Sequence, residues 1–247
     1  MIPIFPGKQV NLSFCSLGEL DELKFAYGAE VMVRHVKTLP VKVDVSHCSN
    51  INFDSSCLAQ VKPLTFAENA HVSMDGVTHL HPETDFSKCR SVTLNRAEFD
   101  DYDNPFPKAL RFKSGIDVSL RNASNLPEHL NVSACRSINL ALCDLHNLCE
   151  LRFGHGADVS LCRAENLPPI VDVAGCAEVD LEKADWHRTE RLIFRDRKQM
   201  EECSSLTLPE NWKGQVLFKD EMQEDLEKYQ SGQNRNLELS MLKDKGR

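Results

Sequence analysis

Leu39-Pro40-Val41-Lys42-Val43-Asp44-Val45-Ser46-His47-Cys48-Ser49-Asn50-Ile51-Asn52-Phe53 carries two short alternating patterns in one stretch. Val43 and Val45 flank a polar residue, and so do Ile51 and Phe53. Each pair spells a short strand with one inward face, because successive side chains on a strand point to opposite sides. The corner between them falls near Cys48. Numbering from Val43 as offset 0, apolar residues stand at offsets 0, 2, 8 and 10, with a small or polar residue at offset 5.

The same frame starts at Ile2, Leu23, Val43, Leu64, Thr84, Leu110, Leu130, Leu151, Val171 and Leu192, where it decays after Phe194. Nine successive steps between these starts measure 21, 20, 21, 20, 26, 20, 21, 20 and 21 residues. Random apolar clustering does not hold such a register. Offset 5 reads Gly7, Gly28, Cys48, Asn69, Cys89, Gly115, Cys135, Gly156, Cys176, so the full period is a pair of coils, 41 residues long where nothing is inserted. Glycine fits a corner of unusual φ and ψ, and a buried Cys or Asn can bond backbone there. Leu-Pro follows at Leu39-Pro40, Leu126-Pro127 and Leu167-Pro168. Proline cannot donate to a ladder, so it marks the turn into the next strand. One coil cannot bury its own inner face and must stack on its neighbours. The expected fold is mainly β: a right-handed parallel-β solenoid of about ten coils.

The phrase Leu-Pro-x-x-Val-Asp-Val-Ser-x-Cys-x-x-Ile at 39–51 resembles the leucine-rich repeat, and the family's wider frame falls at Leu20-to-Val31 and Leu148-to-Val159. The short unit and the Leu-Pro element look most like the repeats of bacterial proteins, some of which are delivered into host cells. The resemblance covers roughly residues 1–218. This chain departs from the commoner pattern by placing two residues after the Asn/Cys position and by alternating two kinds of coil. The family has no shared active site, and the resemblance implies partner binding.

Past Phe194 the register fails at Arg195-Asp196-Arg197-Lys198, and Leu208-Pro209 leads through Trp212 to a last apolar run at 215–218. An atypical terminal unit suggests a C-terminal cap over 192–219, closing a domain of residues 1–219, with the basic cluster on its solvated surface. Residues 220–230 read as a charged helix inside a polar tail, 220–247. The long 26-residue step holds an acidic, aromatic, turn-prone segment at Glu98–Pro107, expected to loop out. Insertions in repeats often bind, which makes Asp101, Tyr102 and Phe106 candidates.

Offset 1 points outward between two inward residues. It reads Lys24, Asp44, Thr65, Asp85, Arg111, Asn131, Arg152, Asp172. With coils about 4.8 Å apart, these residues form a ladder of mixed charge. It can stabilise the sheet by cross-strand attraction, or serve as a docking surface, the side on which leucine-rich repeats bind. Asp44 and Asp85 stand two coils apart, about 10 Å, too far to share a calcium ion. Cys48, Cys89, Cys135 and Cys176 are spaced alike, beyond disulfide reach, and read as reduced buried thiols. His79 and His81, and Cys143, Cys149 with His146, lack the further ligands a metal requires. No cofactor or metal is expected.

A net charge of −8 argues against nucleic acid or an anionic membrane as partner, and 3 Tyr with 2 Trp is poor stock for stacking bases. Met1 to Pro6 lacks the pattern of a Sec signal, and no apolar run approaches a membrane span. The expectation is a monomeric protein–protein interaction module, not an enzyme, cytoplasmic or exported without a Sec signal. The alternative is a carbohydrate-active enzyme or carbohydrate binder of the β-helix type.

Overall fold

The computed structural model describes residues 4–5, 8–81, 83–99, 110–128 and 130–223. Within them the chain is a β-solenoid of about nine turns. The offset 8/10 pattern forms the longest element, a nine-stranded parallel sheet. Its strands run Gln9–Asn11, Glu30–Met32, Asn50–Asn52, His71–Ser73, Ser91–Thr93, Asp117–Ser119, Ser137–Asn139, Asp158–Ser160 and Glu178–Asp180. Each central residue faces in: Val10, Val31, Ile51, Val72, Val92, Val118, Ile138 and Val159 are buried, and Val179 in the last strand is half-buried against the core. Register is constant, with Val31 opposite Ile51 and Ile138 opposite Val159.

The offset 0/2 strands form a second, adjacent face that is broken into separate sheets. Ile4–Phe5, Glu22–Phe25 and Lys42–Asp44 make one; Asp85–Phe86 and Arg111–Phe112 make another. Glu150–Arg152, Ile170–Asp172, Arg191–Phe194 and Gln215–Phe218 make the last. A third wall is held by isolated bridges such as Cys57 to Thr78, Glu98 to Ser124 and Asp144 to Glu165. The core between the walls includes a run of stacked rings, Phe66 on Phe86 at 5.3 Å and Phe86 on Phe112 at 5.8 Å. Stacked coils thus bury what a single coil could not.

Two kinds of corner turn the chain at offset 5. In the glycine-type coils Gly28, Asn69, Gly115 and Gly156 are left-handed, with φ between 61° and 74°. Each donates its N–H at 2.7 Å to a carbonyl of the next coil: His47, Lys88, Ala134 and Gly175. In the cysteine-type coils the turn closes one residue earlier, with Cys48, Cys89, Cys135 and Cys176 each donating at 3.0 Å to the residue three before. A left-handed corner has no Cβ to accommodate in glycine, and asparagine tolerates it.

The second corner has no sequence signature. Offset 12 is left-handed in all nine coils: Phe14, His35, Ser55, Gly76, Arg96, Asn122, Leu142, Arg163 and Lys183. In eight coils it is the third residue of a turn closed by an N–H at offset 13, as in Ala97 to Leu94 at 3.0 Å, the type II arrangement; in the other, the Ser56 hydroxyl bridges, accepting from Val36 at 3.0 Å and donating to Val33 at 2.6 Å. All but Lys183 also donate to the next coil, at 2.7–3.0 Å.

Glu98 and Phe99, expected to open the inserted loop, belong to the coil wall. Phe99 is buried, Glu98 donates to Val77 at 2.9 Å, and Ser124 resumes the ladder by donating to Ala97 at 3.0 Å. Asp101, Tyr102 and Phe106 lie outside the described residues. The register break at Arg195 is a helix start. Asp196 accepts the Gln199 N–H at 2.7 Å as the N-cap of a helix over Arg197–Glu202, replacing the second strand of that coil. Gln199 is buried and donates to Val173 and Cys176, both at 3.0 Å, while Ser205 accepts from Leu181 at 2.8 Å. Residues 219–223 are helical, and the rest of the tail lies outside the described residues. No described helix is long and apolar enough to cross a membrane.

Leu142 is a poor fit at its corner, with φ of 61° and 37% exposure. Leu142→Asn raises stability by about 0.5–1 kcal/mol, because Asn accepts the left-handed region more readily. Gly76→Ala, at the same corner in another coil, lowers it by about 1 kcal/mol. Denaturant unfolding checks both; a Leu142→Asn protein no more stable than the parent would show the corner to be unstrained.

Candidate binding faces

The offset-1 residues stack in the register their spacing implies. Lys24 lies opposite Asp44, Asp85 opposite Arg111, Arg152 opposite Asp172, and Thr65 bridges to Asp85. Close ion pairs nevertheless form elsewhere. Lys24 reaches Glu22 at 3.3 Å and Arg152 reaches Glu150 at 3.0 Å, each two residues back on its own strand. Asp172 meets Lys219 at 2.9 Å.

The acidic members hold the corners instead. Asp44 accepts from the Ser46 N–H at 3.1 Å and its hydroxyl at 2.6 Å. Asp85 accepts from Ser87 at 2.9 Å, Asn131 from Ser133 at 3.2 Å and Asp172 from Ala174 at 3.1 Å. These are Asx turns, and all four fall in cysteine-type coils. The basic members Lys24, Arg111 and Arg152, with Thr65, fall in coils whose corner is left-handed and needs no side-chain acceptor. The hydroxyl bond from Ser46 holds the Asp44 carboxyl below its ordinary range, against the opposing effect of burial.

The continuous sheet presents a second candidate. Its outward residues are mostly small and polar, and in the middle of the stack they bond one another. Ser73 donates to Asp54 at 2.6 Å, Thr93 to Ser73 at 3.1 Å, Asn95 to Asp75 at 3.2 Å and Ser119 to Asn95 at 2.6 Å. The Asp54 carboxylate also accepts from the Asp75 N–H and from Asn52, both at 2.9 Å. The offset-1 face and the continuous sheet therefore stand as two candidate surfaces, one on each strand pair of the coil.

The cysteine corners are interior. Burial pushes the thiols of Cys48, Cys89, Cys135 and Cys176 up to about 12, so they stay protonated. Cys143 is buried at offset 13 and donates to the Leu120 carbonyl at 2.9 Å; its neighbour His146 pairs with Asp144 at 3.1 Å. His81 Nδ1 accepts from the Glu83 N–H at 3.1 Å. Among the described residues no three His, Cys, Asp or Glu side chains converge as metal ligands. Comparison with protein-family models, with curated proteins and with solved structures finds no match to this chain.

Asp44→Ala removes a corner acceptor and costs about 1 kcal/mol, whereas Asp44→Asn keeps it, as Asn131 does naturally. The folded carboxyl titrates below its unfolded value, so its extra stabilisation is complete above the ordinary aspartate range and fades as pH falls through the lowered folded value. Parent protein therefore exceeds Asp44→Asn in stability at neutral pH, and the difference narrows in acid. Urea unfolding of the three proteins at about pH 7 and about pH 3 measures this; an Ala variant as stable as the parent at neutral pH would refute the corner role.

Proposed function

We propose that the chain is a partner-binding solenoid of the leucine-rich-repeat kind, holding a protein against its continuous nine-stranded face. One observation carries the reading: nine strands in constant register, with outward side chains in the middle of the stack already fixed by bonds to each other. Such a surface loses little freedom when a partner docks, and that loss is what usually offsets contact energy. Nine strands at about 4.8 Å spacing span about 38 Å, and the three residues of each give about 10 Å. The strands alone thus offer on the order of 380 Å², about half of the roughly 800 Å² that each side of a standard interface contributes, so the contact must take in the flanking turns and the neighbouring face. Lys24, Thr65, Arg111 and Arg152 on the neighbouring face stand free of corner duty and would extend the contact around the edge. Buried reduced thiols suit a reducing cytoplasm, that of a bacterium or of a host receiving an effector-type protein.

Proximity labelling with the native chain identifies partners, and two double variants then map the contact. Asn50→Arg with Ser137→Arg places bulk and charge on two separated strands of the continuous face. The expected result is at least about a tenfold loss of partner recovery, equivalent to about 1.4 kcal/mol or more, with unfolding unchanged. Arg111→Glu with Arg152→Glu should have the smaller effect. Loss confined to the second pair would move the contact to the broken face, and retention of every partner by both would end the proposal.

A further inference from the structure

At the C-terminal end the last regular coil and the strand Gln215–Phe218 flank an open cleft of about 650 Å³. Arg188, Arg191 and Lys213 line it, with His187 and Trp212; Glu190 is the single carboxylate on its wall. This concentration of positive charge stands in a protein of net charge −8. It also breaks the local rule. Arg195, Arg197, Lys198 and Lys219, all nearby in sequence, each lie within 3.5 Å of a carboxylate: Asp196, Glu221, Glu202 and Asp172 respectively. None of the three cleft cations has a carboxylate at ion-pair distance among the described residues.

Part of the wall is fixed. Arg188 is half-buried, and its Nη1 donates to the carbonyls of His146 at 2.8 Å and Asn166 at 3.4 Å. Those bonds hold one nitrogen of the guanidinium and leave Nε and Nη2 without a protein acceptor among the described residues. Trp212 is held by its indole N–H, which donates to the Thr189 carbonyl at 2.8 Å. His187 is oriented by Asp185 at 2.7 Å.

We infer that this cleft binds a phosphate monoester, the dianion on Arg191 and Lys213, with Arg188 adding charge at the edge, and the organic group against Trp212. A guanidinium edge matches two phosphate oxygens at once, and an ammonium adds a point charge that a dianion satisfies. The inference does not depend on the partner-binding face, which lies on a different wall of the solenoid.

The test titrates the full chain with phenyl phosphate, with inorganic phosphate and with sodium chloride at matched ionic strength, following tryptophan fluorescence. Phenyl phosphate should give a saturable change with a midpoint of about 0.1–1 mM, absent with chloride. Arg191→Gln with Lys213→Gln, both exposed and unpaired, should weaken it at least about tenfold with unfolding unchanged. Tighter binding of phenyl phosphate than of inorganic phosphate supports the ester with its organic part on Trp212. Equal binding refutes the ester and leaves a free-phosphate site. A change reproduced by chloride, one that survives in the double variant, or none at all overturns the inference, and each leaves the partner-binding proposal to its own experiment.

Discussion

Closing a coil of 20 or 21 residues is the constraint on which the rest of this structure depends. A strand whose inward residues bury must end and turn within a few residues, or its neighbours along the stack lose register. The offset-12 residue meets that demand in every coil. Its left-handed backbone completes the turn and, in eight of the nine coils, sends an N–H to the coil above. Turn closure and stacking are therefore one event. This fixes the level at which each strand of the continuous sheet stops, and so gives nine strands with a shared register and outward side chains in straight columns.

The other corner explains the 41-residue period. A glycine-type coil turns through a left-handed residue whose N–H is satisfied by the next coil. A cysteine-type coil turns one residue earlier and uses an Asp or Asn at offset 1 to take up a corner N–H. Alternation of acidic and basic residues along the second face follows from this division of labour more than from attraction across strands. Asp44, Asp85 and Asp172 are committed to the backbone two residues on, while Lys24 and Arg152 turn to glutamates on their own strands. A surface salt bridge contributes little, about 0–1 kcal/mol. A half-buried corner N–H left without its acceptor costs about 1 kcal/mol, and the bond to it spans only two residues of one chain, so the corner takes the carboxylate.

Most of the fold could be read from the sequence because burial leaves a periodic trace. Val43, Val45, Ile51 and Phe53 had to be apolar, and that need repeats coil after coil. What escaped reading was what backbone geometry alone requires. Phe14, His35, Leu142 and Arg163 announce no left-handed turn, since the conformation is imposed by the stack and not chosen by those side chains. Asp196 and Gln199 did carry a helix-start signal, a capping acceptor three residues before its donor, which the surrounding arginines and lysine masked. The two apolar pairs of each coil look alike in sequence. Only inter-coil bonding shows that the pair containing Ile51 and Phe53 builds the unbroken sheet, while the pair containing Val43 and Val45 belongs to one of several pieces.

Register also decides where distinctive chemistry can arise. Within the repeats, outward side chains face counterparts one coil above and below, and they are drawn into shared bonds such as those linking Asp54, Ser73 and Asp75. At the end of the stack those counterparts run out. Arg188 then bonds carbonyls of two preceding coils, and Lys213 and Trp212 arrive from the strand that follows the helix, beyond the last repeat. Because each coil touches mainly its neighbours, changes at that end weaken only the terminal contacts and leave the geometry of the distant strands intact. A solenoid of this kind can carry two separate surfaces, one made by what its coils have in common and one made where the repetition stops.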